Sequence, residues 1–443
     1  MMRQFYRGVL FLAIAAFVGE SLEFVINIIL ARELGEQGLG LYVSILPTIM
    51  LIAILASAEL PVSISKFIAE KERQFHRYML LHALSLALLI TVLLSILAAL
   101  VLPNVPVFND YHPYVRKLIF ILIPIVSFSA VARGYFMGAQ QMGKIAVANF
   151  LRKGIQLLLL VFVYRLFQFE QDIALLVAIC TVIASEFVVF AYLALALMVQ
   201  MNSEKMKPSA KVKGTDVRKS LLSVSIPMTG VRLFYAFTFA VKPFLVKIAL
   251  MNAGLAEAMA TAQFGKLSGV AFTIGFFSMF IAHSFLVVLI PTVAEASAKH
   301  DYLQLQRLLN QVMKLTLLYG IPAIIIFYFF AEPLTGLFFE RSAAAGYLQL
   351  LTPHFLAYYF VMPLQAYLIG LGLAKEALWH AVWSTICSFL LMYFLGSMKS
   401  LQMDGIIIGM NMGAVLLTLM HYVTVCRKIG LTVFMSKAKL ANR

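Results

Sequence analysis

Charged side chains are scarce in this sequence. Asp, Glu, Lys and Arg make up only 12% of the 443 residues, whereas hydrophobic residues make up 62% and the mean hydropathy is +0.93. A typical soluble domain carries about 25% charged residues, so this composition excludes a soluble globular protein. Because a bilayer requires long apolar helices whose backbone groups bond internally, the chain is predicted to be an all-α polytopic membrane protein.

Cysteine is rare as well, and the motifs of common enzymes are missing. Cys180, Cys387 and Cys426 lie in or at the ends of apolar runs without metal-ligand spacing, so they are interpreted as small hydrophobic residues. The sequence contains no phosphate loop ending in Gly-Lys-Ser/Thr, no HExxH and no GxSxG motif. These absences favour a protein that is not an enzyme and holds no cofactor or metal.

Acidic residues are the scarcer of the two charged classes. Lys and Arg number 35 against 20 Asp and Glu, which gives a formal net charge of +15. Such a balance can indicate a nucleic acid partner. On this apolar background it is better explained by cytoplasmic connections that face anionic lipids, so membrane lipids are expected as partners and nucleic acid is not.

Runs of about 20 apolar residues predict twelve transmembrane helices. They lie near residues 8–30, 41–64, 79–102, 115–137, 145–166, 172–199, 221–249, 267–293, 309–330, 347–371, 377–397 and 403–425. The longest polar stretch separates two blocks of six helices, which enter the membrane in the same direction, as parallel repeats do. The predicted domains are a six-helix lobe, a basic cytoplasmic linker, a second six-helix lobe and a basic cytoplasmic tail, at residues 1–200, 201–219, 220–426 and 427–443.

Lys and Arg concentrate on one side of this predicted topology. The even-numbered connections and both termini carry most of them, including Lys66, Arg73, Lys144, Lys299 and Lys375. Because positive residues favour the cytoplasmic side of a membrane, both termini are predicted to be cytoplasmic in a multi-pass protein of the cell membrane.

Two stretches of the first block recur in the second. ELPVS at 59–63 is echoed by LIPTV at 289–293, and RGYFMG at 133–138 is echoed by QAYLIG at 365–370. Small residues and Tyr recur at helix ends in any membrane protein, but two echoes in one register favour a true repeat. A duplicated, proline-interrupted apolar segment indicates a transporter built from repeats.

Three motifs resemble a known family. LARELGEQGLGLY at 30–42, LPVSISKFIAEK at 60–71 and RGYFMGAQQM at 133–142 are similar to signatures of the stage V sporulation protein B-like polysaccharide transporters. That group belongs to the multidrug/oligosaccharidyl-lipid/polysaccharide (MOP) flippase superfamily. The resemblance covers nearly all of the chain and is sharpest in the first half. The length of the chain is also similar to that of a shorter sporulation paralogue in this group.

This resemblance implies a fold and a class of cargo. The expected fold is a V-shaped bundle of twelve helices, whose two lobes alternate between inward-open and outward-open states. The expected cargo is a lipid-linked saccharide or another precursor of the cell wall or spore envelope. The charged headgroup of such a cargo requires a polar cleft with cationic side chains, because charge is costly in hydrocarbon.

The predicted first helix carries an acidic face. Glu20, Glu23 and Asn27 are spaced by three and four residues, which places them on one side of a helix. Because carboxylates inside a membrane are costly and are usually functional, these three residues are candidates for substrate binding.

The predicted seventh helix carries bases in the corresponding part of the second repeat. Arg232, Lys242 and Lys247 are candidates for the same cleft. Two interpretations stay open. The bases either contact the cargo or form a salt-bridge set with the acids of helix one that holds the lobes in one state.

Glu59 is a candidate for ion coupling. It lies two residues before Pro61, and a proline frees a backbone carbonyl one turn earlier in a helix. The carboxylate can therefore bind Na⁺ or a proton, or else pair with Lys66 near the membrane surface.

Other polar residues of the predicted helices are given structural interpretations. Arg152 and Lys153 stand where the resemblance leads us to expect an acidic residue and a glutamine, and are interpreted as extending to the headgroups. Arg133 is interpreted as an interfacial anchor. His380 and His421 show no paired spacing, so no metal site is expected.

The sequence therefore favours a flippase that moves a lipid-linked saccharide by alternating access. Two alternatives stay open: an exporter of drugs or organic cations, and a transport-inactive partner of other membrane proteins in spore-envelope assembly. A membrane enzyme is disfavoured, because the sequence shows no catalytic motif.

Overall fold

The computed structural model describes residues 2–70, 72–104, 106–204, 214–339 and 343–432. Residues 205–213 of the predicted linker and 433–443 of the predicted tail therefore lie outside the described residues. The long helices of the first half are α1 (Met2–Ser57), α2 (Leu60–Glu70), α3 (Arg73–Val101), α4 (Tyr114–Gly138), α5 (Met142–Leu166), α6 (Gln171–Glu204) and α7 (Gly214–Asn252). Short 3-10 turns at Leu102–Asn104 and Pro106–Asp110 connect α3 to α4.

The second half contains more and shorter helices. They are α8 (Glu257–Gly265), α9 (Phe272–Phe276), α10 (Met279–Ala298), α11 (Tyr302–Phe329), α12 (Ala331–Gly336), α13 (Ala344–Leu350), α14 (Thr352–Gly370), α15 (Ala374–Gly396) and α16 (Met403–Lys428). A π-helical turn at Lys266–Ala271 joins α8 to α9. The all-α membrane architecture predicted from the sequence is confirmed.

Ten stretches within the described residues are long and apolar enough to cross a membrane. One of them, Ala16–Ala69, has 54 residues and would extend for about 80 Å as a straight helix, far more than one bilayer crossing. It contains the predicted span at 41–64 and residues 16–30 of the span predicted at 8–30. The predicted span at 347–371 is not among the ten, and it is divided between α13 and α14.

Two interruptions divide that long stretch. Gly35 has φ 67° and ψ −178°, a conformation that only glycine adopts readily, and it ends the first segment. A second interruption at Ala58 and Glu59 separates α1 from α2. The second repeat differs, because Gly265 is helical and α10 continues through Pro291.

The chain folds into two compact units. The C-terminal unit combines Met1–Arg32 with Lys242–Arg443, and the N-terminal unit is Glu33–Val241. Their boundaries lie within the two longest helices, at residues 32/33 of α1 and 241/242 of α7. This division differs from lobes that meet at the linker, since the first part of α1 groups with the second half of the chain.

The same helix pairing recurs inside each unit. In the N-terminal unit α2 packs on α4, where a Cβ on Gly138 would lie 2.6 Å from both the Ile68 Cβ and the Ser65 carbonyl oxygen. In the C-terminal unit α10 packs on α14, where a Cβ on Gly370 would lie 2.8 Å from the Val293 Cβ. The echo between 133–138 and 365–370 therefore corresponds to two similar close helix contacts.

Candidate functional site

A cavity in the C-terminal unit adjoins the acidic face of α1. Its volume is about 230 Å³. The side chains that line it come from α1 and from the residues around α9: Glu20, Glu23, Phe24, Asn27, Ser268, Phe272, Thr273, Phe276 and Phe277. The structure thus brings the three residues predicted on helix one into a single cavity, which we call the α1 cavity.

Helix α1 orients its polar residues by local bonds and aromatic packing. Asn27 Nδ2 donates to the Glu23 carbonyl oxygen one turn earlier, at 3.0 Å. Phe24 packs edge-to-face against Phe277 and Phe338, with ring centroids 5.4 and 5.5 Å apart. These two ring contacts fix the position of α1, whose acidic face lines the cavity.

The opposite wall is built by the π-helical turn. This wider turn includes Ser268 and is followed directly by Phe272 and Thr273. The Thr273 hydroxyl donates to the Gly269 carbonyl oxygen at 2.8 Å. Single π-helical turns are frequent at functional sites, because they change the direction in which neighbouring side chains project. Here the turn brings two hydroxyls to the α1 cavity.

Lys242 on α7 lies behind this wall. Its Nζ is 5.0 Å from the centroid of the Phe272 ring. His354 also contacts this ring, since it stacks on Phe272 with ring centroids 5.6 Å apart and an interplanar angle of 16°. His354 is buried, and its Nδ1 lies 3.2 Å from the Met410 carbonyl oxygen. The neighbours described for the ammonium are thus an aromatic ring and an imidazole, and the charge adjoins the cavity wall.

The third basic candidate of α7 lies in a different setting. Lys247 Nζ is 3.6 Å from Glu257 Oε1 at the start of α8, and the Lys247 side chain is mostly buried. Such a pair fixes the end of α7 against the next helix. The structure does not place Lys247 among the residues that line the α1 cavity.

In the N-terminal unit, Arg232 pairs with Glu59. Arg232 Nη1 lies 2.7 Å from Glu59 Oε1. The glutamate side chain is 6% exposed and the arginine side chain 62%. The sequence predicted Arg232 for the cleft and considered Lys66 as the partner of Glu59. In the structure the partner of Glu59 is Arg232, which is 173 positions away in the sequence.

The Glu59 carboxylate lies at a strained break in the chain. Ala58 and Glu59 have φ of 43° and 50°, in the left-handed region that residues with a Cβ rarely adopt. Bonds on both sides hold this break, because Ser127 Oγ donates to the Ala56 carbonyl oxygen at 2.8 Å and Val62 N donates to that of Glu59 at 3.1 Å. Discontinuous membrane helices occur at binding sites of transporters, which agrees with the proline signal in the sequence.

A second polar group of the N-terminal unit corrects two interpretations. Arg152 does not extend to the headgroups, because its Nη1 lies 3.3 Å from Glu186 Oε1 in the middle of α6. Arg133 is not a simple surface anchor either, since its Nη1 donates to Asn149 Oδ1 at 2.9 Å. Both residues take part in polar contacts between helices.

Sequence reasoning also missed a histidine pair in the C-terminal unit. His380 on α15 and His421 on α16 bring their Nδ1 atoms to 3.1 Å. Thr424 Oγ1 lies 3.4 Å from His380 Nε2. The histidines are 41 positions apart in the sequence and give no local signal, because only the packing of α15 on α16 joins them. Within the described part of the chain, no group of three or more His, Cys, Asp or Glu residues is arranged to hold a metal ion.

Comparisons with protein families match both halves of the chain. A family model described as polysaccharide biosynthesis protein matches residues 5–255, and the model described as MatE matches residues 263–394. Both unit boundaries lie within the first of these matches. The first model therefore covers more than half of the chain.

Two curated relatives and one solved structure extend this finding. The chain is 51% identical over 435 residues to sporulation protein YkvU of Bacillus subtilis (strain 168), covering 98% of both proteins. It is 30% identical over 446 residues to stage V sporulation protein B of the same organism, covering 97% of this chain and 85% of the relative. It also shares the fold of an inward-facing multidrug resistance MATE family transporter of the MOP superfamily, with a TM-score of 0.73, 17% identity, and coverage of 94% of this chain and 98% of that one.

Proposed function

Because the chain belongs to the polysaccharide biosynthesis protein family and is a membrane transporter of the MOP superfamily, we propose that it is a flippase for a lipid-linked saccharide. The proposed mechanism is alternating access, in which a polar cavity carries the headgroup while the lipid tail stays in the bilayer. Charged headgroups need such a cavity, because hydrocarbon solvates them poorly. The family indicates a transporter and not an enzyme.

The position of Lys242 is the observation that carries the choice of cargo. Its ammonium lies 5.0 Å from the ring of Phe272, a residue that lines the α1 cavity. The positive charge at this wall attracts an anionic headgroup, and it offsets one of the two negative charges that Glu20 and Glu23 bring to the same cavity. A phosphate attached to a saccharide has the required charge.

The lining of the α1 cavity suits the saccharide part of that cargo. The carboxylates of Glu20 and Glu23 can accept hydrogen bonds from sugar hydroxyls, and Asn27 and Thr273 supply further polar atoms. Phenyl rings cover the remaining wall. The volume of about 230 Å³ is below the range of about 300–1,000 Å³ typical of sites for drug-sized ligands, which favours a single small group over a large drug.

Replacing Lys242 by Gln tests this proposal. In vesicles that contain the purified protein, we expect transport of a fluorescent lipid-linked saccharide to fall at least about tenfold, which corresponds to about 1.4 kcal/mol, while Lys242→Arg retains most of it. Lys375→Gln is the matched control, because Lys375 is exposed at the start of α15. Full activity of the Lys242→Gln variant would reject Lys242 as the headgroup contact.

Export of organic cations is the second candidate, and the two cavity carboxylates favour it. Carboxylates and phenyl rings together attract cations. If that function is correct, Glu23→Gln should abolish export of a cationic dye such as ethidium by whole cells, and Lys242→Gln should increase it. For the saccharide flippase we expect Glu23→Gln to reduce saccharide transport severalfold, with no ethidium export by either the wild type or the variant. The two functions thus predict opposite results for ethidium.

Topology and energy coupling complete the proposal. Both termini are assigned to the cytoplasmic side of the cell membrane, because Lys and Arg concentrate in the connections on that side. The driving ion is assigned to Glu59, where Na⁺ or a proton would replace Arg232 in one of the two states. The strained backbone at Ala58 and Glu59 supports this assignment, because strained segments occur where a chain has two arrangements.

A further inference from the structure

Two imidazoles meet between α15 and α16 in the C-terminal unit. The Nδ1 atoms of His380 and His421 are 3.1 Å apart, and the ring centroids are 5.1 Å apart. His421 is buried, whereas His380 is partly exposed. The helices therefore enclose one side of the pair and leave the other side partly open. We call these two residues the α15–α16 histidine pair.

The two helices hold this pair in a fixed geometry. They are joined by the short connection at 397–402. A Cβ on Gly409 would lie 2.6 Å from the Met392 backbone nitrogen, and a Cβ on Gly413 would lie 2.5 Å from the Ser388 Cβ. The Ser388 hydroxyl also donates to the Gly409 carbonyl oxygen at 3.0 Å. Because glycine allows two helices to approach this closely, the backbones of α15 and α16 preorganise the two imidazoles.

The pair lies near one end of both helices. His380 is six residues after the start of α15 at Ala374, and His421 is seven residues before the end of α16 at Lys428. These spacings correspond to about 9 and 10 Å along the helix axes. The ends carry exposed charged residues, namely Lys375, Glu376, Arg427 and Lys428. Because such side chains lie at the membrane surface, water and ions can approach the pair from this end.

The separation of the two nitrogens matches that of two ligands on one metal ion. Imidazole nitrogens bind Zn²⁺ at about 2.0–2.1 Å in a tetrahedral arrangement, which places two of them about 3.3 Å apart. The observed distance between the two Nδ1 atoms is 3.1 Å. Zn²⁺, Cu²⁺ and Ni²⁺ accept imidazole ligands readily, whereas Mg²⁺ and Ca²⁺ prefer oxygen. The geometry therefore fits a divalent transition-metal ion.

Thr424 and Glu376 support a bound cation. Thr424 Oγ1 lies 3.4 Å from His380 Nε2, so it can accept a hydrogen bond from that nitrogen and leave Nδ1 unprotonated for a metal. Metal-binding histidines usually donate their second ring N–H to such a partner. Glu376 precedes His380 by one turn on the same face of α15, and its negative charge acts on His380. This exposed carboxylate attracts cations toward the pair.

We infer that the α15–α16 histidine pair binds a divalent transition-metal ion such as Zn²⁺ or Cu²⁺. Two imidazoles supply the protein ligands and water completes the coordination, since the described residues offer no group of three or more His, Cys, Asp or Glu for a metal. A ligand that binds only the folded state stabilises it, so the ion joins α15 to α16 and stabilises the C-terminal unit. This site lies outside the α1 cavity and does not depend on which cargo the protein moves.

Quenching of tryptophan fluorescence tests the site in the full chain in detergent. The two tryptophans of the sequence, Trp379 and Trp383, stand one residue before and three residues after His380, so a bound Cu²⁺ ion quenches their emission. We expect saturable quenching by Cu²⁺ that excess Zn²⁺ reverses and excess Mg²⁺ does not. His421→Gln should weaken Cu²⁺ binding at least about tenfold. His283→Gln is the matched control, because it removes an exposed histidine of α10.

Electron paramagnetic resonance of the wild type with Cu²⁺ gives a second measurement, for which no variant has to fold. We expect hyperfine splitting from two nitrogen ligands, and a Cu²⁺ signal without nitrogen coupling would overturn the site. Equal Cu²⁺ affinity of the wild type and His421→Gln would overturn it as well. Zn²⁺ should raise the thermal unfolding temperature of the wild type and not that of His421→Gln. If the histidines only bond to each other, Zn²⁺ will leave both temperatures unchanged.

Discussion

Neutralising Arg232 alone is expected to lower the stability of the folded protein more than neutralising Arg232 and Glu59 together. The Arg232→Gln variant leaves the buried Glu59 carboxylate without the guanidinium that lies 2.7 Å from it. Breaking a buried ion pair costs about 3–5 kcal/mol. Because the Arg232 side chain is 62% exposed, we expect a smaller loss of about 1–3 kcal/mol, together with a fall in transport of more than tenfold.

The double variant Glu59→Gln/Arg232→Gln removes both charges. Its two amides can still form a hydrogen bond, so most of the thermal stability in detergent should return. Lys299→Gln is the matched control, because the pair of Lys299 with Glu295 is exposed on both sides and such pairs contribute little. Thermal unfolding of the purified variants in detergent, followed by light scattering, compares their stabilities. A double variant less stable than Arg232→Gln would show that the pair has a different role.

The variant Glu59→Gln also tests the assignment of ion coupling. If Na⁺ or a proton exchanges with Arg232 at this carboxylate, transport by the variant should no longer respond to either gradient. Vesicles with imposed proton or Na⁺ gradients measure this directly. A variant that keeps the gradient dependence of the wild type would remove Glu59 from the coupling mechanism, while the stability effect of Arg232→Gln would be unaffected.

The sequence predicts the helices well, for a physical reason. In lipid, each backbone polar group must bond within its own segment, so an apolar run of sufficient length is almost always a helix. The predicted connection between spans 8–30 and 41–64 contains the break at Gly35, and the proline-interrupted segment indicated the break found beside Pro61. Hydropathy did not predict the π-helical turn after Gly265 or the division at 347–371, because these breaks depend on packing and not on polarity.

The candidate site was predictable only in part. Helical spacing placed Glu20, Glu23 and Asn27 on one face, and they do share the α1 cavity. Spacing cannot identify the partner of a charge on another helix, since that contact depends on tertiary packing. The pair of Arg152 with Glu186 was therefore missed. The spacing of residues along one helix is a local property, whereas an ion pair between two helices depends on which helices pack against each other.

A single methyl group at Gly138 or Gly370 is expected to destabilise the protein by about 1–3 kcal/mol, the range for overpacked cores. In Gly138→Ala the new Cβ would lie 2.6 Å from the Ser65 carbonyl oxygen, and in Gly370→Ala 2.9 Å from that of Ile290. A backbone carbonyl cannot rotate away as a side chain can, so the two helices must separate. Gly154→Ala is the matched control, because its Cβ meets nothing within 4 Å and alanine favours a helix by about 0.5–1 kcal/mol.

The effect of Gly138→Ala should extend to the Glu59–Arg232 pair. Gly138 contacts α2 near its end, and α2 starts directly after Glu59, so a shift of this short helix moves the carboxylate. We therefore expect the losses from Gly138→Ala and Arg232→Gln to be less than additive when combined, because the second change removes an interaction that the first has already weakened. Thermal unfolding of the two single variants and the double variant measures this coupling. Full additivity would show that α2 holds its position at Glu59 independently of its contact with α4.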